Sequence, residues 1–184
     1  MSNFTLESGD IIVYRLGRGD WGILRPLVRW LLGSPYCHVG LFWAWTKRNL
    51  PLTIESIGRG VMIRSLLSYQ GRYVKVMRWK GDDARKVGLK VAKAAERLAD
   101  NPKSWYGYFD IPRYVLPRLI WRKLTGATSG FGYQRNQFFI CSELCAQAFR
   151  DAGFPLFNGY FIPLPGDFVD WPLFQEVWEG KLSL

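Results

Sequence analysis

Side chains that bind metals or form disulfides are scarce in this sequence, which has one histidine and three cysteines among 184 residues. An odd number of cysteines cannot be fully paired, and such a set is typical of a reducing compartment. Cys141 and Cys145 form a C-x3-C pair, but with His38 alone the chain lacks the second ligand pair of a zinc site. The sequence therefore predicts neither a disulfide framework nor a metal site.

Long apolar segments are also missing. No uninterrupted apolar run reaches roughly 18 residues, so no transmembrane helix is predicted. The first residues, MSNFTLESGD, contain Glu7 and Asp10 and no basic region followed by an apolar run, so no signal peptide is predicted. Together with the unpaired cysteines, these absences favour a cytoplasmic protein.

An acidic residue is missing where a dinucleotide-binding site would need one. Gly17, Gly19 and Gly22 match the pattern G-x-G-x-x-G after a predicted strand. That motif also requires an acidic residue about 20 positions further on, to bind the ribose. No Asp or Glu occurs between Asp20 and Glu55. The glycines therefore indicate a turn, and the sequence predicts no cofactor.

The composition is that of a folded protein with a basic surface. Hydrophobic residues make up 48% of the chain and charged residues 22%, and the length suits a single domain over 1–184. The formal net charge of +10 favours anionic partners such as acidic lipid or cell-wall polymer. No block of about five like charges marks a nucleic-acid-binding segment, so we expect no specific nucleic-acid binding. Composition does not predict the oligomeric state.

A basic and aromatic segment around 111–135 is the part of the chain that is hardest to assign. It mixes prolines with a Gly/Ser/Thr-rich loop, which predicts short helical pieces and a connector, and we interpret it as a variable insertion. Its first half, 111–123, either presents a cationic face to an anionic membrane or cell wall, or is a buried connector with basic ends in solvent. The residues concerned are Arg113, Tyr114, Leu116, Arg118, Trp121, Arg122 and Lys123.

Hydrophobic periodicity predicts a chain of short strands interrupted by helices. The helix at 82–100 is the clearest, because Val87, Val91 and Leu98 recur at helical spacing. The Pro-rich tail at 161–177 is interpreted as a loop over the core. The predicted strands are 9–16, 38–45, 52–58 and 73–79, and the predicted helices are 21–32, 82–100 and 142–152.

Three reactive side chains occur at positions that also suit catalysis. Cys141 lies where the apolar run of 138–140 changes to a predicted helix, and a helix N-terminus lowers the pKa of a thiol. The alternative is that Cys141 is simply a small buried residue. His38 begins an apolar strand, and Glu55 lies inside another, where an unpaired carboxylate is costly and an imidazole is a fitting partner. These groups are what a cysteine nucleophile, a general base and an orienting carboxylate require.

Five segments of the chain follow the order of a known family. They are GDIIVYR, GSPYCHVGLFW, IESIGRGV, FFICSELCAQAFRDAGFPL and PLPGDFVDWPLF, and they extend from about residue 9 to 175. In this order they resemble the permuted NlpC/P60 papain-like enzymes of the YiiX/YebB-like group, in which the histidine precedes the cysteine. The resemblance implies a single α+β papain-like domain. Its antiparallel sheet would carry His38 and Glu55 and pack on the helix that begins at Cys141.

The same resemblance implies a function. Cys141 corresponds to the nucleophile, His38 to the base and Glu55 to the polar third member of a cysteine hydrolase. Such an enzyme cleaves an amide bond of a peptide or amino-acid conjugate, for instance a cell-wall stem peptide, through a thioester. Two alternatives stay open: lipid acyl transfer of the lecithin–retinol acyltransferase type, and a non-catalytic module that binds an amino acid or lipid headgroup. Cys37 and Cys145 are interpreted as structural.

Overall fold

The chain folds into strands and helices that alternate along the sequence. A computed structural model describes residues 4–17, 23, 25–106, 116–126, 138–157 and 163–183. A short 3-10 helix, Leu66–Tyr69, follows the fourth strand. The elements in chain order are β1 (Ile11–Arg15), α1 (Arg25–Leu32), β2 (Tyr36–Trp45), β3 (Pro51–Ile57), β4 (Gly60–Ser65), β5 (Tyr73–Trp79), α2 (Ala84–Ala99), β6 (Trp105–Tyr106), α3 (Leu116–Thr125), β7 (Phe138–Phe139), α4 (Cys141–Asp151), α5 (Asp167–Asp170) and β8 (Phe174–Lys181).

Six of the strands form one sheet. Their order across it is β4-β3-β2-β1-β5-β8, and every neighbouring pair is antiparallel. The short strands β6 and β7 pair separately and are parallel. In this order β2, which carries His38, and β3, which carries Glu55, are hydrogen-bonded neighbours. The α+β fold with an antiparallel sheet, as expected from the sequence, is confirmed.

The sheet buries apolar side chains on both faces. In β1, Ile11 and Val13 belong to the larger core, whereas Ile12 and Tyr14 belong to a second cluster, as expected for side chains that alternate along a strand. The helices α2 and α4 cover the larger core, to which α4 contributes Leu144, Cys145 and Phe149 among others. The helix that begins at Cys141 is therefore anchored directly on the sheet.

Most predicted elements are found where the periodicity placed them. The predicted strands correspond to β1, β2, β3 and β5, and the helices at 82–100 and 142–152 correspond to α2 and α4. The predicted helix at 21–32 is described from Arg25 as α1, with Pro26 in its first turn, where the missing N–H of proline costs nothing. Within 111–135, residues 116–125 form the helix α3, and the rest of that segment lies outside the described residues apart from Gly126.

At the edges of the sheet, one strand was missed and one prediction was wrong. The strand β4 was not predicted, and the tail at 161–177, interpreted as a loop, contains α5 and the beginning of β8. Both β4 and β8 are edge strands with mostly half-buried or exposed residues, so neither shows the regular alternation of a strand with one buried face. None of the described helices is long and apolar enough to cross a bilayer.

Candidate active site

His38 lies directly after a bulge near the start of β2. Tyr14 of β1 pairs with His38, whereas Arg15 pairs with Tyr36, so Cys37 is the extra residue in β2. A bulge changes the direction in which the side chains of a strand point. The ring of His38 packs against that of Tyr14, with 5.2 Å between the ring centroids, and 20% of its side chain stays exposed. The imidazole is thus held on the sheet without being sealed from solvent.

Glu55 is fully buried in β3, and its carboxylate accepts four hydrogen bonds. Its Oε2 lies 3.1 Å from Nε2 of His38 and 2.5 Å from the hydroxyl of Tyr69. Its Oε1 accepts from Thr53 Oγ1 at 2.7 Å and from the Tyr14 hydroxyl at 3.2 Å. These bonds offset the cost of burying a carboxylate and fix its plane relative to the imidazole. The structure therefore brings His38 and Glu55 together.

The position of Glu55 depends on a glycine, Gly40, in the neighbouring strand. Leu41 pairs with Ile54, so Gly40 lies opposite Glu55 one residue further along the two strands. A Cβ on Gly40 would lie 2.9 Å from Cγ of Glu55, closer than such atoms pack. Glycine at this position consequently leaves the space through which the Glu55 side chain reaches His38.

Cys141 is the first residue of α4 and is partly exposed. The backbone N–H of Ile140 donates to Oε2 of Glu143 at 3.0 Å, which closes the first turn as in a capping box. The thiol of Cys141 lies close enough to His38 to raise the pKa of the imidazole by its charge and by hydrogen bonding. Because Nε2 of His38 faces Glu55, the ring nitrogen left for the thiol is Nδ1. The three side chains therefore form a connected series, Cys141–His38–Glu55.

The groups of the site shift the pKa values of their neighbours. Burial by itself lowers the pKa of His38, but the electrostatic and hydrogen-bonding effects of Cys141 and Glu55 outweigh burial and raise that pKa to about 10. Burial acts to raise the pKa of Glu55, but its hydrogen bonds with His38, Tyr69 and Thr53 lower it overall. The site thus favours a protonated imidazole at His38 beside the carboxylate of Glu55.

The other two cysteines have different surroundings. Cys145 is fully buried in the larger core, and burial raises the pKa of its thiol well above the ordinary value. Cys37 is half-buried, and its Sγ lies 3.8 Å from the carbonyl oxygen of Tyr14. A buried thiol with a raised pKa is a poor nucleophile, so the packing role expected for Cys145 agrees with its environment.

Several residues that hold the site were not predicted. Tyr14, Thr53 and Tyr69 donate hydrogen bonds to Glu55, and Arg64 Nη1 donates to the Tyr69 hydroxyl at 3.1 Å. Thr53 and Tyr14 carried a usable signal, because each is a polar hydroxyl within an apolar strand and a buried hydroxyl needs a partner. Tyr69 carried none, since it follows a strand that was not predicted.

The comparisons with known proteins bear on the fold. No family model and no curated protein sequence matches this chain. Among solved structures, the chain is similar to the crystal structure of the metalloprotein yiiX from Escherichia coli O157:H7. The TM-score is 0.53 at 18% sequence identity, and the match covers 97% of this chain and 100% of that one. This likeness confirms the YiiX-like, permuted NlpC/P60-like fold, and any activity has to be argued from the site.

Proposed function

We propose that this protein is a cysteine-dependent hydrolase that cleaves an amide bond through a thioester intermediate. The observation that carries the proposal is the series Cys141–His38–Glu55, in which a buried carboxylate lies 3.1 Å from the imidazole and the thiol is near enough to raise the pKa of that imidazole. Cys141 acts as nucleophile, His38 as acid and base, and Glu55 orients the imidazole and stabilises its charged form.

In the first half of the proposed reaction, the thiolate of Cys141 attacks the carbonyl carbon of the amide. The new C–S bond forms as the carbonyl π electrons move onto oxygen, giving a tetrahedral oxyanion. Cys141 and Ser142 lie in the first turn of α4, where backbone N–H groups have no acceptor within the helix and can stabilise that oxyanion. The C–N bond then breaks as the imidazolium of His38 gives its proton to the departing amine, which leaves a thioester on Cys141.

In the second half, water hydrolyses the thioester. Neutral His38 accepts a proton from water while the oxygen attacks the acyl carbon, and collapse of the intermediate breaks the C–S bond. The carboxylic acid leaves, and the thiolate and imidazolium of the resting site are restored. Glu55 accepts a hydrogen bond from Nε2 throughout, so that Nδ1 stays directed at the reacting atoms.

A metal is not part of this proposal, although yiiX is described as a metalloprotein. Within the described ranges of this chain, no group of three or more His, Cys, Asp and Glu side chains is placed to hold a metal ion. Nε2 of His38, the single histidine of the sequence, is already bonded to Glu55. The described residues therefore do not fit a metal, and the reaction above uses none.

The proposed substrate class is a peptide or amino-acid amide, including cell-wall stem peptides, and it rests on the sequence resemblance alone. Lipid acyl transfer remains a second candidate, because the helices α1 and α3 expose large apolar side chains. Release of amino acids from muropeptides supports the hydrolase, whereas transfer of a radiolabelled fatty acyl chain from phospholipid vesicles supports the transferase. Binding without turnover of either substrate would indicate a non-catalytic module.

The nucleophile can be identified by limited alkylation. A limiting dose of iodoacetamide at about pH 6 should modify Cys141 well before Cys145, because Cys145 is buried and its pKa is raised. Peptide mapping of the modified protein, with Cys37→Ser and Cys145→Ser as matched controls, assigns the reactive thiol. Inactivation should follow the modification of Cys141 in all three proteins. Full activity in Cys141→Ser would overturn the proposal.

A further inference from the structure

Two helices outside the candidate active site present apolar side chains to solvent. Leu27 and Trp30 of α1 and Ile120, Trp121 and Leu124 of α3 are between 45% and 79% exposed. We call these five residues the α1–α3 patch. Single exposed apolar residues are ordinary on a protein surface, but two tryptophans and three aliphatic residues on two adjacent helices are not.

The α1–α3 patch is one surface, because the two helices contact each other. Lys123 of α3 places its Nζ 5.4 Å from the ring centroid of Trp30 on α1. Leu27 and Trp30 are three residues apart, and Ile120 and Leu124 are four apart, so each pair lies on one side of its helix. The exposed apolar side chains are therefore grouped.

The apolar residues of the patch are not the ones that attach α3 to the protein. Leu119 of α3 is buried in a small core with Ile140 and Leu164, and Leu32 of α1 packs against that core. An amphipathic helix that only covers a protein core needs one apolar side. In α3 the apolar residues extend from the buried Leu119 to the exposed Leu124, so the helix has apolar surface in excess of what its packing uses.

The charge of these helices is of one sign. Neither α1 nor α3 contains an acidic residue, and the whole chain has a formal net charge of +10. A second copy of the same patch would bring like charges together, whereas an acidic surface would be attracted. The charged residues of the two helices are Arg25, Arg29, Arg118, Arg122 and Lys123.

We propose that the α1–α3 patch docks the protein on the surface of an anionic lipid bilayer. Leucine and isoleucine enter the boundary of the acyl chains, tryptophan lies at the headgroup level, and the exposed side chains of Arg29 and Lys123 contact acidic headgroups. No described helix spans a bilayer, so this contact is peripheral. The inference goes beyond the proposed thiol chemistry and does not depend on it.

Docking would also bring a cavity of the protein to the membrane. A cavity of about 500 Å³ is lined by Pro26, Arg29 and Trp30 of α1 and by Gly33, Ser34 and Pro35. Trp30 belongs both to this cavity and to the α1–α3 patch. The last of these residues, Pro35, directly precedes β2, the strand that carries His38. Contact through Trp30 therefore places the cavity, and the strand that begins beside it, next to the lipid headgroups.

The proposal is tested by co-sedimentation of the full chain with phosphatidylcholine vesicles that contain or lack phosphatidylglycerol. We expect binding to the anionic vesicles that weakens as salt is raised, and much weaker binding to phosphatidylcholine alone. Leu27→Asp combined with Leu124→Asp should lower the partition coefficient at least about tenfold. Leu89→Asp is the matched control, since Leu89 is 55% exposed on α2, outside the patch, and should bind nearly as the unaltered protein.

A milder pair of variants covers the case in which the aspartate substitutions disturb folding. Lys123→Ala should weaken binding to anionic vesicles about fivefold, whereas Lys93→Ala on the exposed side of α2 should have a smaller effect. Absence of binding, equal binding to both vesicle types, or equal effects of patch and control variants would overturn the proposal. A dimer in solution that the patch variants convert to a monomer, with vesicle binding unchanged, would assign the patch to a second copy instead.

Discussion

Two buried carboxylates in this protein each have a basic partner, yet they do different things. Glu55 in β3 is bonded to His38, and Asp10 before β1 is bonded to Arg78 of β5. Asp10 is nearly as buried as Glu55 and receives two hydrogen bonds from Arg78, at 2.7 and 2.8 Å. A buried acid in or next to an apolar strand is therefore no sign of catalysis by itself.

The difference lies in what the basic partner can do. Arg78 is permanently charged, and besides Asp10 it bonds to Glu7 and to the carbonyl oxygen of Thr5, so it ties the N-terminal segment to the sheet. Burial raises the pKa of Asp10, and the hydrogen bonds from Arg78 offset only part of that rise. His38 can release its proton, and on its other side it meets a thiol. The Asp10–Arg78 pair thus fixes structure, whereas the Glu55–His38 pair can move a proton.

The largest expected effect comes from removing the titratable partner. His38→Ala should lower kcat/KM by about 10⁴-fold or more, because the thiol loses its base and the leaving amine its acid. The measurement is steady-state hydrolysis of an amide substrate, with circular dichroism to show that the variant is folded. Retained turnover in folded His38→Ala would remove the functional difference between the two carboxylate pairs.

Breaking the Asp10–Arg78 pair should lower the stability of the protein and leave its catalytic rate unchanged. Arg78→Met leaves the buried carboxylate of Asp10 without its strongest partner, so the free energy of unfolding should fall by about 3 kcal/mol, roughly a hundredfold in the folding equilibrium constant. Urea unfolding gives this value. At a temperature where the variant is folded, its kcat should equal that of the unaltered protein. A lowered kcat in folded Arg78→Met would make Asp10 part of the site.

A smaller loss is expected when Glu55 keeps its shape and loses its charge. Glu55→Gln should lower kcat/KM about tenfold, since the amide oxygen can still accept a hydrogen bond from Nε2 of His38 and orient the ring. The same steady-state assay applies, and Asp10→Asn is the matched control, with kcat unchanged. A loss as complete as that of His38→Ala, in a folded protein, would mean that Glu55 does more than orient the imidazole.

Removal of the Tyr69 hydroxyl should lower the activity less than Glu55→Gln does. Tyr69→Phe removes the 2.5 Å hydrogen bond to Glu55 while His38, Tyr14 and Thr53 keep theirs. We expect a loss of about fivefold in kcat with KM unchanged, because the residue acts through Glu55 and does not touch the substrate. Tyr73→Phe is the control, a half-buried tyrosine of β5 outside this network. Equal effects of the two variants would exclude a positioning role for Tyr69.

The sequence predicted those strands and helices whose pattern of apolar residues lies within the segment itself. The strands β1, β2, β3 and β5 and the helices α2 and α4 follow from apolar periodicity, which each segment carries within itself. The edge strands β4 and β8 have weak alternation, and their place in the sheet depends on pairing with a distant segment. The tail at 161–177 was interpreted as a loop from its Pro-rich composition, although its last residues, from Phe174, pair with β5.

The residues of the candidate site also divide into those with a local sequence signal and those whose role depends on a distant partner. Cys141, His38 and Glu55 stood out because each is unusual in its local setting, and the structure places all three together. Gly40 matters only because Glu55 lies opposite it, a relation that becomes visible once the register of β2 and β3 is known. Asp10 had no such local signal, because its partner is Arg78, in a strand that only tertiary structure brings close. The catalytic roles of the three residues remain predictions.

The smallest expected change is a shift in the pH dependence of kcat/KM. This shift tests most directly how the Glu55–His38 pair differs from the Asp10–Arg78 pair. Burial lowers the pKa of His38, but Cys141 and the carboxylate of Glu55 outweigh burial and raise that pKa to about 10. A raised pKa keeps the imidazolium present at neutral pH, so kcat/KM should fall on the alkaline side only as pH approaches about 10. Glu55→Gln removes one of the two raising charges, so the alkaline limb should move to lower pH. Arg78→Met should leave that limb in place, since Arg78 does not contribute to the pKa of His38. Profiles of kcat/KM over pH for the three proteins decide the matter, and an unmoved limb in Glu55→Gln would show that the carboxylate does not stabilise the imidazolium.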